Sequence, residues 1–282
     1  MARLTVADLL RRKSQGEKIT MLTAYDYPFA TLLDEAGVDV VLVGDSLGMV
    51  VLGYETTTPV TMEEMLHHAK AARRGVSRAL LVGDMPFLSF HGTTADAVRS
   101  AARFVQEAGC DAVKVEWKQG IEDVAKAIVD AGIPVMGHVG LTPQTAVAEG
   151  GFGIRGKDVE SALRIIGQAI ALQEVGCFAM VLECVPDLVA KEITQRLRIP
   201  TIGIGSGPWC DGQVLVTYDL LGLYERFTPR FVKRYAQMGE TVRHAVRAYI
   251  QEVKSAGFPG PAHTVGMSPE EAARLNAELG NR

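Results

Sequence analysis

The chain has 282 residues, of which 48% are hydrophobic and 22% charged, and its formal net charge is −4. This composition is typical of a globular protein, and the lack of a basic stripe argues against nucleic acid as a partner. The apolar runs are far shorter than the roughly 20 residues of a membrane helix, and the amphipathic first residues argue against a signal peptide. Four cysteines without a C-x-x-C pair predict free thiols in a reducing compartment. We therefore expect a cytoplasmic protein without a membrane partner.

Apolar runs that suit strands alternate with helical patterns along most of the chain. Residues 1–17 predict a short helix in which Thr5 is the N-cap and Asp8 completes a capping box. Strands are expected at 19–24, 39–44, 79–83, 112–116, 134–138, 178–183, 201–205 and 214–218. Helices are expected at 28–36, 62–74, 94–108, 121–130, 158–175 and 187–196, followed by a long helix at 229–255. Residues 258–282 are expected to form a C-terminal extension in which a helix starts at Ser268.

This alternation predicts a parallel sheet, because strands so apolar need helices over both faces. The sheet is either a closed barrel or an open, doubly wound sheet. An open dinucleotide-binding sheet favours a G-x-G-x-x-G turn after its first strand, whereas TAYDYP at 23–28 contains no glycine. Eight strands in a chain of this length favour the barrel. We therefore predict an α/β fold, a single-domain (β/α)8 TIM barrel over residues 1–282.

Three acidic residues stand at the ends of three predicted strands. Asp45 follows VDVVLVG, Asp84 follows ALLVG, and Glu116 ends DAVKVE. A single carboxylate there is more often a helix N-cap, but three at equivalent positions indicate a shared polar site at one end of the barrel. Carboxylate oxygens without cysteine or histidine partners favour Mg2+ over zinc. The three acids therefore predict an enzyme with a magnesium site.

The alternation of side chains along a strand predicts which residues share the barrel interior. Lys114 and Glu116 are two residues apart and should face the same side, so that Val113 and Val115 face the helices. By the same rule, each remaining acid should face the same side as the apolar residue two positions before it. These pairs are Asp45 with Val43, Asp84 with Val82 and Glu183 with Val181. Lys114 either takes part in the chemistry or neutralises Glu116 as an internal ion pair.

Two further polar residues end predicted strands. His138, in GHVGLTP, is equally compatible with a hydrogen-bonded core histidine and with a site residue. Glu183 lies in an apolar run, which would raise its pKa as a general acid or base requires. The alternative is an internal salt bridge from Glu183 to Lys191 or Arg155. The GIGSG loop at 203–207 is either a tight turn or a cradle for phosphate or carboxylate.

Several long blocks of the sequence are distinctive. They are GDSLGMVVLGYETTTPVTMEEMLHH (44–68), VGDMPFLSF (82–90), VKVEW (113–117), PVMGHVGLTPQ (134–144), LECVP (182–186) and GIGSGPWCDGQVLV (203–216). They resemble the ketopantoate hydroxymethyltransferase family, and the resemblance runs from the first residues to FPGPAHT at 258–264. The segment 267–282 matches no core feature of that family.

The resemblance implies a Mg2+-dependent (β/α)8 enzyme of coenzyme A precursor synthesis. Such an enzyme moves a one-carbon unit from 5,10-methylenetetrahydrofolate to 3-methyl-2-oxobutanoate and forms 2-dehydropantoate through a Mg2+-stabilised enolate. The family also implies a homo-oligomer built from pentameric rings, such as a decamer. The partners expected are therefore a small 2-oxo acid, a folate and further copies of the chain.

The resemblance also assigns roles to residues of this sequence. It implies that the metal ligands are Asp45, Asp84 and Glu116. It implies that the ketoacid-binding residues are Asp45, Ser46, Asp84 and Lys114, and that the proton acceptor is Glu183. We place His138 near the metal or the substrate oxygens. The pterin ring of the folate needs an apolar surface, for which aromatic candidates near strand ends are Phe87, Phe90, Trp117 and Trp209.

Three other functions remain open at this point. Lys114 could form a Schiff base in an aldolase, although acidic neighbours such as Glu116 would raise its pKa and oppose that role. The same carboxylates could serve a metal-dependent lyase or mutase that acts on 2-oxo acids without folate. The barrel could also bind a small acid without catalysis.

Overall fold

Eight parallel strands close into a barrel in the computed structural model, which describes residues 3–146, 148 and 150–280. Each strand pairs with the next one along the chain, and the first also pairs with the last, where Ile19 lies opposite Gly212. The strands are β1 (Ile19–Thr23), β2 (Val40–Val43), β3 (Leu80–Asp84), β4 (Ala112–Glu116), β5 (Val135–Gly140), β6 (Ala179–Glu183), β7 (Thr201–Ile204) and β8 (Gly212–Leu215). The predicted (β/α)8 barrel is therefore confirmed.

Helices precede the barrel, connect its strands and follow it. They are α1 (Val6–Gln15), α2 (Tyr27–Ala36), α3 (Leu47–Val50), α4 (Met62–Gly75), α5 (Thr94–Gln106), α6 (Ile121–Asp130), α7 (Val159–Glu174), α8 (Asp187–Arg196), α9 (Thr217–Leu220), α10 (Met238–Lys254) and α11 (Pro269–Gly280). The predicted capping box of α1 is present, since Thr5 N donates to Asp8 Oδ2 at 2.8 Å and Asp8 N donates back to Thr5 Oγ1. None of the described helices is long and apolar enough to cross a membrane.

The predicted eighth strand starts two residues too late and ends three residues too late. The strand starts at Gly212 and ends at Leu215, and the following residues form the single turn α9. A Cβ on Gly212 would clash with the carbonyl oxygen of Ile19, so glycine is what lets β8 approach β1 here. A search for β-branched runs passes over such a glycine, which explains the error.

The predicted long helix 229–255 is also wrong at its start, because α10 begins at Met238. The preceding residues 229–237 are irregular, and the Phe231 ring packs over the backbone of Gly205 instead of continuing a helical face. Tyr235 N donates to Leu220 O at 2.8 Å, which ties this segment to the end of α9.

The predicted alternation of side chains is confirmed on β4. Val113 and Val115 lie in the outer core between barrel and helices, whereas Lys114 and Glu116 line a cavity inside the barrel. The inner core of the barrel contains apolar side chains from every strand, among them Leu42, Val82, Val181, Ile202 and Val214.

The same rule holds for two of the three remaining acids. Val82 and Val181 are inner residues, as their pairing with Asp84 and Glu183 requires. The prediction that Asp45 and Val43 share the barrel interior is wrong, because Val43 belongs to the outer core between barrel and helices. β2 ends at Val43, so the chain has left the strand before it reaches Asp45 and the parity no longer applies.

The chain divides into two compact units, residues 1–235 and 236–282. The first contains the barrel and the second contains α10, the short 3-10 helix Pro261–His263 and α11. The expected single domain over 1–282 therefore stays a prediction. Residues 1–2 of the predicted N-terminal helix and 281–282 of the predicted extension lie outside the described residues.

Candidate active site

A cavity of about 510 Å³ opens where the strands of the barrel end. All the polar site residues singled out from the sequence line it, namely Asp45, Ser46, Asp84, Lys114, Glu116, His138 and Glu183. They come from β3, β4, β5 and β6 and from the turn after β2, so the parallel strand order brings together side chains that are far apart in sequence.

Lys114 is the buried cation of this cavity. Its Nζ lies 2.8 Å from Asp84 Oδ1 and 3.9 Å from Glu116 Oε1. Burial alone would lower the pKa of Lys114, but the charges of Asp84, Glu116 and Asp45 outweigh burial and raise it. Lys114 is therefore a firmly protonated ammonium group in this structure.

His138 lies between two carboxylates. Its Nδ1 is 3.5 Å from Glu116 Oε1, and its Nε2 is 3.2 Å from Glu183 Oε2. Burial and the charge of Lys114 lower its pKa, but the two carboxylates prevail and raise it to about 9. Nδ1 is also 3.3 Å from Lys114 Nζ, but two protonated groups cannot share a hydrogen bond, so the raised pKa favours donation to Glu116.

Asp45 and Asp84 are adjacent, since Asp45 N lies 3.3 Å from Asp84 Oδ2 and donates to it. Burial raises the pKa of Asp45 well above its ordinary value, and the charges of Asp84 and Glu116 raise it further. Burial also raises the pKa of Asp84, although Lys114 opposes this. The pKa of Glu116 is lowered, because its contacts with His138 and Lys114 outweigh the effect of burial.

Gln144, which the sequence did not single out, connects the members of the cluster. Its Nε2 donates to Asp45 Oδ2 and to the carbonyl oxygen of Met85, both at 2.9 Å. Its backbone N–H donates to Glu116 Oε2 at 3.0 Å. Gln144 ends the block PVMGHVGLTPQ, but an amide six residues beyond His138 carries no signal by residue type alone. Only the folded loop after β5 reveals its role in positioning two carboxylates.

Ser46 and Glu183 complete the polar lining. Ser46 Oγ lies 2.9 Å from the hydroxyl of Tyr25, a fully buried residue that follows β1. The Glu183 side chain retains 17% of its exposure, compared with 2–5% for the side chains of Lys114, His138 and Asp84. Its salt-bridge partner is His138 rather than the proposed Lys191, whose Nζ lies over the Trp209 ring. Glu183 is thus the acid of the cluster that faces the open part of the cavity.

The acidic cluster is compatible with a bound Mg2+. The cluster contains four carboxylates, those of Asp45, Asp84, Glu116 and Glu183, but only two cationic side chains, Lys114 and His138. Burial and the charges of Asp84 and Glu116 raise the pKa of Asp45, and a divalent cation would compensate this excess of negative charge. Within the described residues, however, no group of three or more histidine, cysteine, aspartate or glutamate side chains is already arranged around a metal position. The donor chemistry fits Mg2+, which binds through few protein carboxylates and takes its other ligands from substrate and water.

The other half of the cavity is apolar. Its aromatic lining residues are Phe152, Tyr224, Phe227 and Phe231. The four aromatic residues predicted to form a pterin surface do not line this cavity: Phe90 is buried in the outer core, and Trp209 packs under Lys191. Residue type and strand position misled this prediction, because the aromatic wall comes largely from the irregular chain after α9.

The GIGSG loop does not form an anion cradle in this structure. Ser206 is buried, and its Oγ donates to Leu182 O at 2.7 Å, which ties the loop to β6. Gly205 adopts a positive φ of 63° and is covered by the Phe231 ring. The glycines therefore serve a tight turn and close packing, which was the alternative interpretation.

Comparisons with known proteins show what this chain is similar to. The family model described as ketopantoate hydroxymethyltransferase matches residues 3–261. The 3-methyl-2-oxobutanoate hydroxymethyltransferase of Acetivibrio thermocellus is 59% identical over 257 residues, which cover 91% of each chain. The enzyme of that name from Carboxydothermus hydrogenoformans is 53% identical and covers 98% of this chain and 100% of its own. A solved structure of 2,3-dimethylmalate lyase, a PEP mutase/isocitrate lyase superfamily member, aligns over 98% of this chain and 99% of its own with a TM-score of 0.59. Its sequence identity is 15%, so this likeness concerns the fold alone.

Proposed function

The chain belongs to the ketopantoate hydroxymethyltransferase family, and we propose that it transfers a hydroxymethyl group from 5,10-methylenetetrahydrofolate to 3-methyl-2-oxobutanoate. The product, 2-dehydropantoate, would enter pantothenate and coenzyme A synthesis. One observation carries the mechanism: a single cavity holds the Lys114–Asp84 ion pair and the more exposed carboxylate of Glu183, with His138 between them. This arrangement offers an anion-binding cation and a base to the same small molecule.

The ketoacid carboxylate would bind beside Lys114 and Ser46. Lys114 supplies a permanent positive charge, since its acidic neighbours keep it protonated. The Ser46 hydroxyl can donate to the substrate while it accepts from Tyr25, which lies 2.9 Å away. The two groups would fix the orientation of the substrate, so that its C3 hydrogen faces one side of the cavity.

Glu183 would take the C3 proton of the bound ketoacid. The electron pair of the broken C3–H bond forms the C2–C3 double bond of an enolate, and the proton moves to the Glu183 carboxylate. His138 Nε2 lies 3.2 Å from Glu183 Oε2, and the attraction between an imidazolium and this carboxylate would hold Glu183 in place. The two carboxylates outweigh burial and raise the pKa of His138 to about 9, which favours the imidazolium over the neutral ring that a base requires.

The enolate carbon would then attack the methylene group of the folate. A new C–C bond forms at C3 while the bond from the methylene carbon to one of the two folate nitrogens breaks. Water then supplies the hydroxyl group as the bond to the second nitrogen breaks. The two nitrogens take up the proton removed from C3 and one proton of the water, so the overall products are 2-dehydropantoate and tetrahydrofolate. The apolar half of the cavity would shield the enolate from protonation by solvent.

Asp45, Asp84 and Glu116 would hold the Mg2+ of this enzyme. When bound, the ion would polarise the 2-oxo group of the ketoacid and stabilise negative charge on that oxygen. Asp45 and Asp84 are the two adjacent acids with raised pKa values, and Gln144 orients both Asp45 and Glu116. Support for the ion comes from the excess of buried negative charge, not from a preformed cage.

The proposed reaction is tested by supplying the two substrates separately. With the ketoacid alone in deuterated water, the enzyme should exchange the C3 hydrogen without forming a product. Addition of 5,10-methylenetetrahydrofolate should yield 2-dehydropantoate and tetrahydrofolate in equal amounts. A product formed from the ketoacid without folate would instead favour a lyase or mutase, and the absence of both exchange and product would favour a binding protein.

Self-association and a cytoplasmic location are further parts of this proposal. By helical spacing, Val242, Val246, Tyr249, Ile250 and Val253 fall on one face of α10, and none of them is buried in the described structure. An apolar helix face of this kind suits contact with another copy of the chain. Sedimentation analysis of the purified protein should show a species much larger than 30.4 kDa, and a monomer would exclude this part.

A further inference from the structure

One carboxylate of the cavity takes no part in the mechanism above. Asp219 lies on α9 and lines the cavity. Its side chain makes no hydrogen bond or ion pair with any described residue, although Arg230 lines the same cavity. Burial raises the pKa of Asp219 to about 6, and the charge of Arg234 only partly opposes this. A partly buried carboxylate without a donor is unfavourable unless a ligand supplies one.

The position of Asp219 is fixed by its neighbours. Thr217 N donates to Thr23 Oγ1 at 3.0 Å, and the Thr217 hydroxyl donates to Thr23 O, so α9 is fastened to the end of β1. The ring of Tyr218 packs edge-on against Tyr25, with 5.6 Å between ring centroids. Tyr25 in turn contacts Ser46, so α9 is connected to the proposed ketoacid site. A carboxylate on such a rigid turn can select a ligand by its hydrogen-bond pattern.

The surroundings of Asp219 suit a flat aromatic ring. The chain from β8 to Phe231 contributes Val216, Tyr224, Phe227 and Phe231 to the cavity, and Phe152 faces it from the loop after β5. Phe227 and Phe152 are more than half exposed, so their ring faces are available for stacking. The cavity lining thus combines aromatic side chains, the acceptor group of Asp219 and the polar cluster.

We propose that Asp219 binds the aminopyrimidine edge of the pterin ring of the one-carbon donor, while the aromatic wall stacks on that ring. This inference rests on the folate donor of the proposed function. The N3–H and 2-amino groups of a pterin are parallel donors, and one carboxylate accepts both in a bidentate pair. The pairing would direct the methylene-bearing side of the folate towards the ketoacid, and Asp219 would determine specificity for the carrier.

The inference is tested by binding of tetrahydrofolate, which is unreactive towards the ketoacid. We expect Asp219→Asn to weaken tetrahydrofolate binding about 10- to 100-fold, because an amide cannot accept two hydrogen bonds from the ring edge and carries no charge. C3 hydrogen exchange of the ketoacid alone should continue at the wild-type rate, because Glu183 and Lys114 are unchanged. Asp123→Asn on the exposed face of α6 is the matched control and should change neither property.

A folate analogue distinguishes recognition of the ring edge from a structural effect. Tetrahydrofolate that carries a methyl group in place of the 2-amino group should bind weakly to the wild type and no more weakly to Asp219→Asn. An equal loss for both ligands in the variant would overturn the inference, as would unchanged tetrahydrofolate binding. If the wild type does not bind tetrahydrofolate, both the proposed folate donor and this inference are wrong. If Asp219→Asn binds tetrahydrofolate as tightly as the wild type, only this inference is wrong.

Discussion

His138 Nε2 lies 3.2 Å from Glu183 Oε2, and this contact joins the proposed base to the buried charge cluster. The other ring nitrogen faces Glu116, so the imidazolium lies between two carboxylates. Both carboxylates line the cavity, but the Glu116 side chain is 3% exposed and the Glu183 side chain 17% exposed. The histidine therefore orients Glu183 from behind and leaves its open side for the substrate.

Replacement of Glu183 by Gln should stop proton removal but leave binding intact. Gln keeps the shape of Glu183 but cannot accept a proton, so the C3 exchange rate in deuterated water should fall by about 10²–10⁴. Lys114 and Ser46 would still hold the ketoacid, so its dissociation constant should change little. Normal exchange in Glu183→Gln would show that another group is the base.

Most of the barrel was predictable because each strand is an apolar run that stands between helical patterns. The end of β2 shows the limit of this reasoning, since a strand may stop two residues before the acid that follows it. The alternation of side chains along the strand then no longer predicts where Asp45 points. Asp45 reaches the cavity from a turn instead of from a strand. The end of this strand is not visible in residue types, because the residues up to Asp45 continue the same apolar run.

The candidate site was predictable in its charged half only. Buried carboxylates and a lysine at strand ends are unusual and therefore informative, and all of them face one cavity. Gln144 and Phe231 were missed because they belong to loops whose course depends on tertiary contacts, and Asp219 was missed because it lies on the single turn α9 where a strand was predicted. Aromatic residues such as Phe227 are common in any sequence, and only the fold shows which of them line a cavity.

Lys114 should not form a Schiff base with the ketoacid. Its pKa is raised by Asp84, Glu116 and Asp45, so the free amine that attacks a carbonyl is scarce at neutral pH. Treatment of the enzyme with ketoacid and borohydride should leave Lys114 unmodified in a peptide mass analysis. The Lys114→Arg variant supplies the background level, and a reduced adduct on wild-type Lys114 above this level would replace the proposed mechanism by an aldolase-type one.

Asp45→Asn should separate metal binding from stability. In the metal-free protein the change removes a buried carboxylate that Asp84 and Glu116 repel, so unfolding should require at least as much free energy as in the wild type. The Gln144 amide can still donate to the Asn oxygen. Mg2+ at 100 times its dissociation constant would stabilise the wild type by about 2.7 kcal/mol, and the variant should lose most of this gain.

The measurement is thermal unfolding with and without Mg2+, compared with activity after EDTA treatment. Asp130→Asn, which alters only an exposed ion pair with Lys126 on α6, should retain the full response to Mg2+. Full activity of the EDTA-treated enzyme, or an equal Mg2+ response in Asp45→Asn, would show that the carboxylates do not hold a metal.

Asp34 should make a pH-dependent contribution to stability far from the active site. Burial would raise its pKa, but the backbone N–H groups of Ala79, Arg78 and Ser77 and the Ser77 hydroxyl donate to it and hold the pKa below 3.8. A depressed pKa in the folded state stabilises the protein above the unfolded value, and this stability is lost as the pH falls through the folded value. Asp34→Asn should therefore lower the unfolding free energy by on the order of 3 kcal/mol at pH 7, and the difference should shrink below pH 4. A difference that is constant from pH 7 to pH 3 would contradict the assignment.

Gly140→Ala should disturb the position of Glu183 through the backbone alone. Gly140 ends β5 with a φ of 98°, a conformation that favours glycine, and an added Cβ would clash with the carbonyl oxygen of Glu183. That carbonyl accepts from Leu141 N at 2.8 Å, so relief of the clash must break this hydrogen bond or shift the end of β6. We expect a loss of about 2–3 kcal/mol in unfolding free energy and a fall in C3 exchange greater than the fall in ketoacid affinity.

Gly137→Ala on the same strand is the matched control for that change. Gly137 has an ordinary φ, and its added Cβ would meet only the ends of the Leu172 and Met180 side chains, at 3.0 Å. These flexible ends can move by a few tenths of an ångström, so the variant should lose a little stability and retain C3 exchange. Both changes add one methyl group to β5, but only Gly140→Ala displaces the Glu183 backbone. A difference in C3 exchange between the two variants therefore reports the effect of moving Glu183. Equal exchange rates in the two variants would show that Glu183 tolerates displacement, which a base in direct contact with the C3 proton cannot do.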